Sequence, residues 1–153
     1  MTLVELNSQL LADIPLAQAM ALELADWDGR RLLLTAPLAP NRNDKGCAFG
    51  GSLASLMSLA GWGSTVLRMG DLAEGAEVYV QDSQIQYLAP VWQDIEIHAW
   101  ALDEDNDAFR AAYRGRGRAR TRIQAECRLA DGVVAAALSA RFVAIDPRRR
   151  RDS

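Results

Sequence analysis

One stretch, NRNDKGCAFGGSLASLMSLAGWG at residues 41–63, constrains the fold of this chain more than any other. A polar loop leads into the glycine pair Gly50–Gly51, and apolar residues then follow on every side of a helix. A surface helix would carry a single apolar stripe, so this pattern predicts a helix over residues 51–69 that is buried on all sides. We therefore expect the rest of the chain to wrap around one central helix.

Most of the remaining chain alternates between apolar and polar residues, as half-buried strands do. The turns Asp28–Gly29 and Asp131–Gly132 predict hairpins, which require antiparallel pairing. The fold class is therefore α+β, with about six antiparallel strands around the central helix. The predicted strands cover residues 19–27, 31–36, 78–88, 94–102, 116–129 and 133–145.

Two shorter helices are also predicted. Leucines at helical spacing indicate an amphipathic helix over residues 3–12, which Pro15 ends. The acidic residues 103–107 suit the start of a second short helix, which ends at Gly115 or Gly117.

The chain has 153 residues, half of them hydrophobic, and a formal net charge of −3. This composition predicts one domain over residues 1–146 and a charged, disordered tail over residues 147–153. The acidic balance disfavours nucleic-acid binding, and no apolar run approaches the roughly 20 residues of a membrane helix. The N-terminus lacks the basic segment of a signal peptide, and Cys47 and Cys127 form no disulfide or zinc motif. We expect a cytoplasmic protein without a metal.

The junction between the polar loop and the helix is the candidate site. The first turn of a helix has backbone N–H groups without partners, and the helix dipole attracts negative charge to that end. A thioester carbonyl that develops negative charge during hydrolysis would fit there. The glycine pair equally well permits only a tight turn against the sheet.

The pattern Asn43-x-x-Gly46-x-x-Phe49-Gly50-Gly51 resembles the N-x-x-G-x-x-H-G-G signature of hotdog-fold acyl-CoA thioesterases. A closer resemblance is to the thioesterase domain that forms the C-terminal part of YiiD-type acetyltransferases, through Phe49-Gly50-Gly51-Ser52 and Gly61-Trp62-Gly63. The resemblance implies a hotdog fold and hydrolysis of an acyl-CoA thioester, with coenzyme A as part of the substrate and no cofactor. It also implies a homodimer or tetramer whose site lies between two subunits.

The resemblance also implies roles for individual residues. Asn43 corresponds to the asparagine that positions water or the thioester, and Gly51 to the glycine whose N–H polarises the carbonyl. Ser58 stands where many of these enzymes carry an acidic base, and serine is a poor proton acceptor near neutrality. The substitute carboxylates are Asp44, beside Asn43, and Asp82, if it points inward. The predicted catalytic residues are Asn43, Asp44, Gly51 and Ser58, and the predicted substrate-binding residues are Phe49, Gly50, Ser52 and Asp82.

Other functions stay open. The missing helix carboxylate favours a non-catalytic acyl-CoA-binding or regulatory module. A dehydratase or hydratase needs a histidine paired with a carboxylate, and His98 is the single histidine. The arginines of residues 114–122 form either a solvated outer face, a contact for the phosphates of coenzyme A, or a nucleic-acid face.

Overall fold

A computed structural model of the chain describes residues 1–103 and 105–150. Short 3-10 turns lie at Ala39–Asn41, Gly70–Ala73 and Pro147–Arg150. The helices are α1 (Leu3–Asp13), α2 (Pro15–Ala19), α3 (Gly50–Met69) and α4 (Asn106–Arg116). The strands are β1 (Glu23–Trp27), β2 (Arg31–Ala36), β3 (Glu77–Tyr87), β4 (Ile95–Ala101), β5 (Arg118–Arg128) and β6 (Val134–Ile145).

The strands form one six-stranded sheet in the order β1-β2-β4-β5-β6-β3, and every pair of neighbours is antiparallel. The helix α3 contacts β2, β3, β4, β5 and β6 across one face of this sheet. The α+β architecture predicted from the sequence is therefore confirmed. Within the described ranges, no helix has both the length and the apolar composition needed to cross a membrane.

The two halves of α3 differ in burial. Every residue from Gly63 to Met69 is buried, whereas Ala54, Ser55, Ser58 and Leu59 in the first half are only partly buried. The prediction of a helix buried on all sides is therefore wrong for the first half. The physical reason is that α4 as well as the sheet covers the second half, since Met69 packs with Phe109 and Tyr113 of α4 and Arg68 donates to Asn106.

The backbone of α3 lies directly against the sheet at two glycines. A Cβ atom added at Gly61 would lie 2.7 Å from Cε2 of Phe142, and one at Gly63 would lie 2.9 Å from Cδ2 of Leu32. Both distances are shorter than Cβ contacts in real proteins. Glycine at these two positions therefore allows the helix to pack closely on side chains of β6 and β2.

The other end of α3 is joined to α4 by a buried arginine. The Arg68 guanidinium donates through Nε to Oδ1 of Asn106 at 2.5 Å and through Nη1 to Oγ1 of Thr121 at 2.6 Å. Its Nη2 lies 3.8 Å from a carboxylate oxygen of Asp103. As predicted, acidic residues begin α4. The side chain of Asp105 caps this helix by accepting the N–H of Ala108. These contacts fix the inserted helix to the core.

The main differences from the prediction concern α2, the start of the first strand and the tail. Pro15 does not only end α1 but also begins α2, because proline lacks the N–H that the first helical turn leaves unused. The first strand begins at Glu23 rather than residue 19, after Ala21 takes a φ of 53°. The tail predicted to be disordered starts with the turn Pro147–Arg150, and residues 151–153 lie outside the described residues.

The close approach at Gly61 predicts that Gly61→Ala destabilises the protein. Overpacking against Phe142 costs about 1–3 kcal/mol, which outweighs the gain in helix propensity of up to about 1 kcal/mol. Urea unfolding should show a lower midpoint. The matched control is Gly115→Ala in α4, where an added Cβ meets nothing within 4 Å, so this variant should gain stability. Equal stabilisation by both alanines would contradict the packing described here.

Candidate functional site

The loop before α3 is held by backbone hydrogen bonds at its base. Arg42 and Ala48 form an isolated antiparallel bridge, and the N–H of Ala48 donates to the carbonyl of Val91 at 2.8 Å. The N–H of Phe49 then donates to the carbonyl of Asn41 at 2.7 Å. The chain therefore enters α3 at a fixed angle, next to the segment that follows β3.

The first turn of α3 has no side-chain cap. The N-cap residue is Phe49, which carries no polar side-chain group, and its carbonyl accepts the N–H of Leu53 at 3.0 Å. Among the hydrogen bonds of the described residues, none has the N–H of Gly50, Gly51 or Ser52 as donor. This helix of 20 residues therefore presents three free donors and the positive end of its dipole.

Two aromatic rings lie against this first turn. A Cβ atom added at Gly51 would overlap the ring of Phe49, so the ring of this half-exposed residue would have to move to make room for it. On the other side, an added Cβ at Gly50 would lie 3.5 Å from the ring of Tyr87. The Tyr87 hydroxyl donates to the carbonyl of Gly50 at 3.1 Å and so joins the end of β3 to the start of α3.

The side chain of Asn43 is used inside its own loop. Its Oδ1 accepts the N–H of Lys45 at 2.8 Å, and its Nδ2 donates to Sγ of Cys47 at 3.2 Å. One N–H of the Asn43 amide is left for another acceptor. Asp44 is largely exposed, and its carboxylate pairs with the ammonium of Lys45 at 3.1 Å. Asn43 thus shapes the loop, and Asp44 stands at its outer surface.

The structure places the other predicted residues as follows. Gly50, Gly51 and Ser52 form the first turn, and Ser58 lies seven residues after Gly51, close to two helical turns along the same partly buried face. Asp82 does not join them. It is paired with Arg141 of β6, its neighbour across the strands, through both carboxylate oxygens.

Asp82 is exposed, and Arg141 hydrogen bonding holds the pKa of its carboxyl group below the ordinary value. The inward orientation considered for Asp82 is therefore wrong. The β-bulge between Val80 and Asp82 shifts the register, and the alternation read from the sequence cannot show this shift. Asp82 belongs to the outer surface of the sheet, beside Arg141.

The residues that the sequence disfavoured as catalytic or metal-binding groups lie away from α3 or are buried. His98 is on the polar face of β4, with Nε2 2.8 Å from a carboxylate oxygen of Glu96. Cys127 is fully buried in the core, and burial raises the pKa of its thiol to about 11. In the described part of the chain, no three His, Cys, Asp or Glu side chains are grouped closely enough to hold a metal ion.

Sequence reasoning missed Tyr87 as a site residue. Its position in a run of β-forming residues suggested only a strand, and Pro90 marked the end of that strand. Nothing in the local pattern indicates that the last residue of β3 reaches the first residue of α3, because 37 positions separate them. The contact follows from the sheet order, which places β3 at the edge beside α3.

Comparison with known proteins identifies the family and the fold. The sequence profile of the family described as "Putative thioesterase (yiiD_Cterm)" matches residues 3–146. A protein of unknown function from Chlorobaculum tepidum has 29% identity and a TM-score of 0.84, over 92% of each chain. A solved structure described as a "putative thioesterase" from Shewanella oneidensis has 27% identity and a TM-score of 0.83, over 94% of this chain and 96% of that one.

A more distant thioesterase from Haemophilus influenzae has 19% identity and a TM-score of 0.71, over 95% of this chain and 91% of that one. At this level of identity the similarity shows the fold alone. The six-stranded sheet around α3 is the hotdog fold that the sequence motifs predicted.

The buried thiol gives a prediction for stability at alkaline pH. Burial raises the pKa of Cys127 from 9.0 to about 11, so the unfolded chain loses this proton first. The free energy of unfolding should therefore fall as the pH rises from 9 to 11, by up to about 1.4 kcal/mol per pH unit from this group. Urea unfolding of wild type and Cys127→Ala across that window isolates the contribution. If the free energy of unfolding changes with pH in the same way in both proteins, the raised pKa of Cys127 is ruled out.

Proposed function

This chain belongs to the YiiD C-terminal thioesterase family, and from that premise we propose that it is an acyl-CoA thioesterase. The observation that carries the proposal is the uncapped start of α3, where the N–H groups of Gly50, Gly51 and Ser52 have no acceptor among the described hydrogen bonds. Donors fixed in place for a developing oxyanion are often the largest contribution to catalysis. In the alternative, the glycine pair only permits a tight turn and water satisfies these three donors, as it does at many helix starts.

In the proposed reaction, a water molecule attacks the thioester carbonyl carbon, and the carbonyl oxygen becomes an oxyanion at the first turn of α3. The tetrahedral intermediate then collapses, the carbon–sulfur bond breaks and coenzyme A leaves as its thiolate. Gly51 supplies an N–H donor to the oxyanion. Asp44 accepts the proton of the attacking water, and the remaining N–H of Asn43 orients that water. Ser58, on the same face of α3, completes the polar contacts to the water.

The site is proposed to lie between two copies of the chain. The edge strand β3 has 11 residues and pairs on one side only, with β6. Its Tyr79, Val80 and Tyr87 are exposed by 48%, 49% and 56%. A long edge strand with exposed apolar residues favours pairing with another strand. Antiparallel pairing of β3 with its own copy would place the start of one strand beside the Tyr87 end of the other.

One observation favours a second function, a binding module without turnover. Ser58 stands where a carboxylate would act as base, and the Asn43 side chain is largely occupied by Lys45 and Cys47. Such a module would use the same amides to bind the thioester carbonyl. The two functions differ in whether Asp44 activates water.

Thiol release from a series of acyl-CoA thioesters tests the proposed enzyme. We expect saturable hydrolysis by the wild type and a kcat lower by roughly 10²–10⁴-fold in Asp44→Ala, the usual contribution of a general base. The matched control is Asp13→Ala on the surface of α1, which should hydrolyse at the wild-type rate. Full activity in Asp44→Ala would remove that residue as base. Tight binding of acyl-CoA without hydrolysis by the wild type would favour the binding module.

Dimer formation is tested by Val80→Lys on β3. A lysine on an edge strand opposes strand pairing, so this variant should be monomeric by light scattering and should lose hydrolysis. The control Val4→Lys, at a residue of α1 that is 75% exposed, should stay dimeric and active. A wild-type protein that is monomeric at all concentrations would contradict a site shared between subunits.

A further inference from the structure

Four large apolar side chains surround the start of α3 and are more than half exposed. Phe49, Tyr87, Leu88 and Trp92 have exposures of 54%, 56%, 59% and 61%. They come from two separate segments, the N-cap of α3 and the connection after β3. Exposed apolar groups that cluster in this way mark binding surfaces, whereas single exposed apolar residues need no explanation.

A pocket of about 380 Å³ lies directly beside the first turn of α3, and two members of this group, Tyr87 and Leu88, line it. Its deeper wall includes Leu53 and Val91, which are 4% and 1% exposed, and its rim includes Leu88. Within the part of the chain that the structure describes, no charged side chain lines it. Its one side-chain hydroxyl, on Tyr87, already donates to the carbonyl of Gly50.

The walls of the pocket are held by main-chain hydrogen bonds rather than by side chains alone. The N–H groups of Leu88 and Ala89 both donate to the carbonyl of Ala135, at 2.8 and 3.0 Å. The N–H of Ala48 donates to the carbonyl of Val91 at 2.8 Å and closes the opposite wall. The pocket is therefore formed before any ligand binds, so its chemistry decides which acyl groups enter.

From this lining we infer that the site takes thioesters of uncharged, apolar acyl groups and excludes acyl groups that end in a carboxylate. This inference rests on the proposed function, since it identifies the pocket beside the three free N–H groups as the place of the acyl chain. An apolar acyl chain gains by leaving water, whereas a buried carboxylate without a cationic partner is strongly disfavoured. Among the described residues of one chain, no arginine, lysine or histidine lines the pocket to compensate that charge.

The binding experiment uses non-hydrolysable thioether analogues of coenzyme A, so it does not depend on turnover. Affinity should rise about fourfold per methylene from the butyl to the hexyl analogue. The carboxypropyl analogue should bind at least about 100-fold more weakly than the pentyl analogue, which has a similar chain length. Equal affinity for these two analogues, or preference for the carboxylate, overturns the inference.

The variant Leu88→Lys tests the location of the acyl group. Leu88 is exposed, so a lysine there keeps the core intact and adds a cation to the rim. We expect at least a tenfold loss of affinity for the hexyl analogue and at least a tenfold gain for the carboxypropyl analogue. The control Leu16→Lys on α2, at a residue 54% exposed, should bind both analogues as the wild type does. Unchanged selectivity in Leu88→Lys overturns the inference.

Hydrolysis assays on octanoyl-CoA and succinyl-CoA separate this inference from the proposed function. Faster hydrolysis of octanoyl-CoA, by at least about 100-fold in kcat/KM, supports both. Hydrolysis that favours succinyl-CoA overturns the inference but supports the proposed thioesterase function. Selective binding of apolar analogues without any hydrolysis supports the inference and contradicts the proposed thioesterase activity. Light scattering of Leu88→Lys measures its oligomeric state. Dissociation into monomers would assign this surface to contact with a second copy and overturn the inference.

Discussion

The contact between the backbone of α3 and the sheet determines most of this structure. At Gly61 and Gly63 the helix approaches Phe142 and Leu32 so closely that a methyl group would not fit without rearrangement. The sheet and α4 together bury the second half of α3 completely, while the first half, away from α4, is partly open. The open half begins at Gly50 and ends near Trp62, so the same packing that forms the core also leaves the candidate site accessible.

The two ends of α3 differ in how their free backbone groups are capped. At the C-terminal end, Gly70 takes a φ of 59° to end the helix, and the Arg68 guanidinium supplies the positive charge that suits the helix dipole there. Desolvation lowers the pKa of Arg68, and its hydrogen bonds to Asn106 and Thr121 compensate for burial. At the N-terminal end no side chain caps the free N–H groups. A helix stabilised at one end and left open at the other is consistent with a ligand at the open end.

The sequence predicted the elements well because their signals are local. Turn residues, alternation and the acidic start of α4 each depend on a few neighbouring positions, and all but α2 were placed within a few residues. The sheet order, the bulge beside Asp82 and the contact between Tyr87 and Gly50 depend on residues far apart in the chain. The glycine pair and Asn43 were found through a motif, whereas the occupied amide of Asn43 and the ring of Phe49 over Gly51 required coordinates.

In the proposed site, the first-turn N–H groups of α3 bind the thioester carbonyl. Backbone amide chemical shifts, measured by NMR during titration with a slowly hydrolysed acyl-CoA amide analogue, test it most directly, because the amide carbonyl occupies the place of the thioester carbonyl. We expect large downfield shifts at Gly50, Gly51 or Ser52, together with smaller changes at Tyr87 and Leu88. Saturable binding with shifts confined to the arginine-rich segment of residues 114–122, and none at the start of α3, would contradict it.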